Sequence, residues 1–151
     1  MEPIVCDTSS LIKLAKANIV PCLGAMFSPV HLPDAVTAEC KSDRLKAIIL
    51  LPFFIPHTVK NTLPIGLGAG ERGTISAALE LGASFILTDD DAAIRKAGRL
   101  GLVPLRVFDI IILAKLAGHI QSARAAMDRM IAEGEGIAPD VYAETLGKCG
   151  E

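Results

Sequence analysis

Four short, largely apolar runs, Ile4 to Cys6, Val30 to Leu32, Ser84 to Thr88 and Leu102 to Val107, alternate with segments whose apolar residues recur at helical spacing. No other feature of the 151-residue chain restricts its fold as much. A strand that is apolar toward both faces belongs in a parallel sheet with helices packed above and below it. The expected architecture is α/β, three layers α/β/α around a central, mostly parallel sheet. With 51% hydrophobic residues there is material for one core, and the length fits one domain over residues 1–151.

Helices are expected to begin near Ser9, near Asp34, at Gly70 or Glu71, and just after Asp89, most with a Ser, Asp or Gly able to cap the start. Ile110 to Ala117 is apolar around nearly its whole circumference and ends at Gly118, a helix-terminating position. One further helix carries Ala123, Met127, Met130 and Ile131 on a stripe, and another runs from Pro139 to about Leu146. Together with a mean hydropathy of +0.46, these apolar helices point to a covered surface, and a homodimer is the simplest cover. Lys46 to Gly68, rich in Pro and irregular, receives no element.

Several classes are excluded. No apolar run reaches the roughly 18 to 20 residues of a membrane span, and no signal peptide is recognisable, so a soluble, cytoplasmic protein is expected. The four cysteines, Cys6, Cys22, Cys40 and Cys149, have no zinc-ligand spacing and read as reduced, buried thiols. Aromatic residues make up only 4%, too few for a stacking platform, so contact with nucleic acid would run through phosphate. The net charge of −2 does not oppose that partner. Setting four of the 17 acidic residues aside as metal ligands leaves thirteen against 15 Lys and Arg, a balance of +2.

The carboxylates carry the chemistry. Asp7 follows the first strand and the triplet Asp89, Asp90, Asp91 follows the strand Ser84 to Thr88, which places both groups at the carboxyl edge where open α/β sheets bind ligands. Glu71 stands in a first helical turn, on the same stripe as Ile75 and Ala78, and Glu39 lies three residues after Val36. Acids at such places are costly without a partner. No matching set of cations stands beside them, and hard oxygen donors suit Mg²⁺ or Mn²⁺. A divalent-cation site follows. Singly, each residue has a plainer role: Asp7, Asp89 or Asp91 as a helix cap, and Glu71 as a favourable charge at a helix start.

The same residues resemble the PIN domains, in particular the small stand-alone members related to VapC toxins. The resemblance runs through Val5-Cys6-Asp7-Thr8-Ser9-Ser10-Leu11-Ile12, Leu32-Pro33-Asp34-Ala35-Val36-Thr37-Ala38-Glu39, Leu67-Gly68-Ala69-Gly70-Glu71 and Ile86-Leu87-Thr88-Asp89-Asp90-Asp91. It continues to His119 and Ile120 and so covers nearly the whole chain. Two departures stand out: Glu71 occupies a position where most PIN domains have Asp, and Asp89 competes with Asp90 as the fourth ligand. The resemblance implies an endoribonuclease in which Asp7, Glu39, Glu71 and Asp90 hold one or two Mg²⁺ or Mn²⁺ ions that activate water for in-line attack on RNA, leaving 5′-phosphate and 3′-hydroxyl ends. Thr8, Ser9 or Ser10 would orient the water or the ligands, unless they only cap a helix. It further implies a toxin held by a small antitoxin. A degenerate PIN fold serving as scaffold or regulator is the alternative.

Other motifs fall away. Gly66-Leu67-Gly68-Ala69-Gly70 lacks the third glycine and the preceding strand of a dinucleotide fingerprint, and His31, His57 and His119 form no triad. Arg95, Lys96 and Arg99 share the polar side of one helix, where Arg95 could hold a substrate phosphate or merely face solvent.

Overall fold

A computed structural model describes residues 1–63 and 66–151. Its centre is an all-parallel sheet of five strands, β1 (Ile4–Cys6), β2 (Val30–Pro33), β3 (Phe54–His57), β4 (Phe85–Leu87) and β5 (Val103–Leu105), in the order β3-β2-β1-β4-β5. The pleat sorts side chains between two cores. Ile4, Cys6 and Leu87 point into one, whereas Val5 and Ile86 point into the other. This is the three-layer α/β/α arrangement, with the sheet parallel throughout.

The larger core is covered by α1 (Thr8–Lys16), α2 (Val20–Met26), α7 (Val107–Leu116), α8 (Ala123–Ala132) and α9 (Pro139–Lys148). The smaller lies under α5 (Ala69–Leu81) and α6 (Asp91–Arg99). The short helices α3 (Asp34–Glu39) and α4 (Asp43–Ile48) follow β2, and α3 packs on α5. The expected helix starts agree with these bounds, and Gly118, at φ +79°, takes the left-handed conformation just past α7.

The irregular stretch from Lys46 to Gly68 contains the end of α4, the strand β3 and the start-cap of α5, Gly68; its Pro64 and Ile65 lie outside the described residues. β3 was hidden by Pro56, since proline removes a ladder donor and belongs only on an edge. Both edges have one: Pro56 faces Leu32 across β3/β2 and Pro104 faces Ile86 across β5/β4. Val107, expected at the end of a strand, instead opens α7.

The apolar helices are largely used up inside the chain. On α7, Ile110, Ile111 and Ala114 are buried, and on α8 Met127 and Met130 are buried, leaving Leu113, Leu116 and Ile131 exposed. All four cysteines are free and buried. Among the described residues no helix is long and apolar enough to cross a membrane.

Candidate active site

Strands β2 and β3 extend the sheet to one side of β1, and the chain then crosses to β4 on the other. The β1/β4 boundary is therefore the switch point, where connections leave in opposite directions and a crevice opens at the carboxyl ends. Asp7 emerges from β1 there, its backbone N–H donating to the Leu87 carbonyl at 3.1 Å. Thr88 and the Asp triplet emerge from β4 beside it.

Asp7 is only 2% exposed. Its Oδ1 accepts from the Ser10 backbone N–H at 2.9 Å and so caps α1, as its plainer role required. Its Oδ2 is buried and has no hydrogen-bond partner, and neither have the Thr8 and Ser10 hydroxyls. Burial pushes the Asp7 carboxyl above its ordinary range; the nearby Thr88 and Ser10 groups act in the lowering direction, and the Asp89 charge adds to the rise. An anion in this position is short of a positive partner.

The triplet divides its work. Asp89 Oδ2 is 2.8 Å from Lys13 Nζ, and its Oδ1 accepts from the Val107 backbone N–H at 3.1 Å, so this carboxylate ties α1 to the start of α7. Asp90 caps α6, its Oδ1 accepting from Ala93 N–H at 2.7 Å, while its own N–H donates to Thr88 Oγ1 at 3.3 Å. Asp91 pairs with Arg106 at 2.5 Å, which lowers its pKa. Among the described residues Asp90 has no ion pair. Arg95, one turn further along α6, is exposed, and Ser9 is exposed at the start of α1.

Glu39 and Glu71 both lie against the start of α5. A Cβ on Gly70 would stand 3.0 Å from Glu39 Oε1, and a Cβ on Gly68 would stand 2.6 Å from Glu71 Oε2. The glycine run before Glu71 thus makes room for two carboxylates. Glu39 is more exposed than its spacing from Val36 implied, because α3 ends at that residue and Cys40 turns inward in its place.

Among the described residues no three His, Cys, Asp or Glu side chains lie close enough together to hold one ion. The Asp89 charge acts on Asp7 at the switch point, while Glu39 and Glu71 each lie against a glycine at the start of α5. The set still suits a hard cation: every donor is a carboxylate oxygen, and the most buried one lacks a partner. Sequence spacing gave no sign of Lys13 or Arg106, because their partners lie 76 and 15 residues away.

A doubly wound α/β domain with an acidic switch point is the class that fold and site define. A model of the PIN domain family matches residues 3–151, and the chain belongs to that family. PIN domains are in general nucleases, and such nucleases use divalent metals. Comparison with curated proteins gives no match. Among solved structures, the chain is similar to a PilT N-terminus domain protein from the hyperthermophilic archaeon Sulfolobus solfataricus, at 19% identity and TM-score 0.54 over 80% of this chain and 95% of that one. It is also similar to the PIN domain endonuclease Utp24, at 16% identity and TM-score 0.51 over 69% of this chain and 84% of that one. At these identities the two likenesses carry the fold alone.

Proposed function

We propose that this chain is a divalent-metal-dependent endoribonuclease that hydrolyses RNA phosphodiester bonds, with Mg²⁺ or Mn²⁺ held by Asp7, Glu39, Glu71 and Asp90. The observation that carries the reading is the buried, unpartnered Oδ2 of Asp7 at the switch point of a PIN-family sheet. Its Oδ1 is fixed by the α1 cap, so the free oxygen is held in place before any ligand arrives. Glu39, Glu71 and Asp90 offer further oxygens without a cation partner among the described residues. Asp89 is the weaker fourth ligand, since Lys13 already neutralises it.

A bound divalent cation would supply Lewis acidity, making water a better nucleophile and offsetting charge on the phosphate. The chain's own residues do the rest. The Thr8 and Ser10 hydroxyls, buried and unpartnered, and the exposed Ser9 can orient a water beside Asp7. Arg95, unpaired among the described residues, can attract a substrate phosphate. In the cell we propose a toxin role, with a small antitoxin protein as inhibitor and the cytoplasm as the site of action.

The test is cleavage of single-stranded RNA in Mn²⁺ or Mg²⁺. Activity is expected to vanish in chelator and in Asp7→Asn and Asp90→Asn, and to persist in Asp91→Asn. Cleavage surviving in chelator overturns the metal assignment. A melting temperature indifferent to Mn²⁺, with no cleavage, points to the scaffold alternative. For the toxin role, expression of the wild-type chain alone should arrest growth and Asp7→Asn should not.

A further inference from the structure

A cleft of about 360 Å³ separates α1 from α4 and takes no part in the reading above except that Glu39 lines it. Its floor is apolar, formed by Ile12, Ala15 and Leu45, and three cations stand along it: Lys16, Lys41 and Arg44. Two of these are occupied by the chain's own acids. Arg44 binds Glu133 through two nitrogens, at 2.7 and 3.3 Å, and Lys16 binds Glu135 at 2.8 Å. Both acids belong to the turn after α8, which reverses at Gly134 with φ +93°. Lys41 makes no ion pair among the described residues.

α8 has anchors besides the two ion pairs. Arg129 of that helix donates to the Ala17 carbonyl at 2.9 Å, and Met127 and Met130 are buried against the core. The Arg44–Glu133 pair is about half exposed on both sides, at 50% and 42%, so water and salt screen it and a stronger anion can replace it. Lys16–Glu135 is more enclosed, and Arg44 also donates to the Ala15 carbonyl. The acidic turn thus neutralises two cations of the cleft while α8 has other anchors.

We propose that this cleft receives the backbone of single-stranded RNA, with Lys16, Lys41 and Arg44 facing phosphates, and that Glu133 and Glu135 are built-in anionic competitors that the RNA displaces. The inference rests on RNA as the substrate class. The cations match the phosphates of a single strand, in line with a chain too poor in aromatics to stack bases, and the aliphatic floor leaves room for the ribose beside them. Glu39 lines the same cleft, so a strand bound there passes one of the proposed metal ligands.

Binding of a fluorescent single-stranded oligoribonucleotide, measured by anisotropy in chelator, tests this without any need for cleavage. Glu133→Gln with Glu135→Gln is expected to tighten binding several-fold and steepen its salt dependence. Lys41→Ala is expected to weaken binding several-fold and to lower the slope of log affinity against log salt by about 0.7, one single-strand phosphate contact. Lys41 supports no ion pair in the described fold, so this variant reports the cleft even where the double variant loses stability. Affinity unchanged in Lys41→Ala and Arg44→Ala would overturn the proposal and leave the cleft to a protein partner. Should the wild-type chain bind RNA through these cations yet cut nothing, the nuclease reading fails and the cleft assignment stands.

Discussion

Asp7 performs two tasks with two oxygens. Oδ1 secures the first turn of α1, and Oδ2 is left buried without a partner. The folded protein binds the Asp7 proton more tightly than the unfolded chain does, because burial raises this pKa. Ionised Asp7 therefore costs stability above its folded pKa, and that cost fades as pH falls through the folded pKa toward the ordinary carboxylate range. Asn retains the capping oxygen and removes the charge. Metal-free Asp7→Asn is accordingly expected to melt higher than wild type at pH 7, with the gap closing on acidification and reversing when Mn²⁺ is added to both at pH 7. A variant that is less stable than wild type by the same margin at pH 4 and pH 7 would show that the cap, and not the charge, dominates.

The first turn of α5 was legible as a helix start bearing an acid, but the purpose of its glycines was not. Gly68 leaves room for Glu71 within the same helix start, whereas Gly70 leaves room for the Glu39 carboxylate of α3, a contact between elements that spacing along the chain does not encode. Gly70→Ala should keep or slightly raise the melting temperature, since alanine suits a helix better than glycine, although in a first turn the gain stays below the roughly 1 kcal/mol of an interior position. It should also push Glu39 aside and weaken Mn²⁺ binding in calorimetry; loss of stability with metal affinity intact would reverse that account. Four of the five strands and the four helices nearest the carboxylates were readable from period and capping, because each repeats a local rule. The strand β3, with Pro56 inside it, and the short helices α2 and α4 were not, because tertiary packing decides such brief segments. Likewise Asp7 and the triplet were readable as an acidic edge, whereas the division of labour within the triplet depends on Lys13 and Arg106 reaching across the fold.

At the scale of the whole molecule, burial of Met127 and Met130 removes much of the apolar stripe that first argued for association. Leu116 at 67% exposure and Leu113, one turn apart on α7, and Ile131 on α8 still leave apolar side chains exposed. We expect light scattering at micromolar concentration to report about twice the 15.9 kDa chain mass, and Leu116→Glu to return the mass to one chain. A soluble wild-type monomer under those conditions would refute the dimer. The prolines on the outer strands determine how any such assembly can be built. Pro56 and Pro104 each leave a gap in the row of amide donors that an added strand would need, so neither margin of the sheet offers a continuous template for a neighbouring backbone. The zipper-like route of strand donation is thereby disfavoured for a second copy or a misfolded neighbour, and attachment side chain to side chain through helices and clefts is favoured.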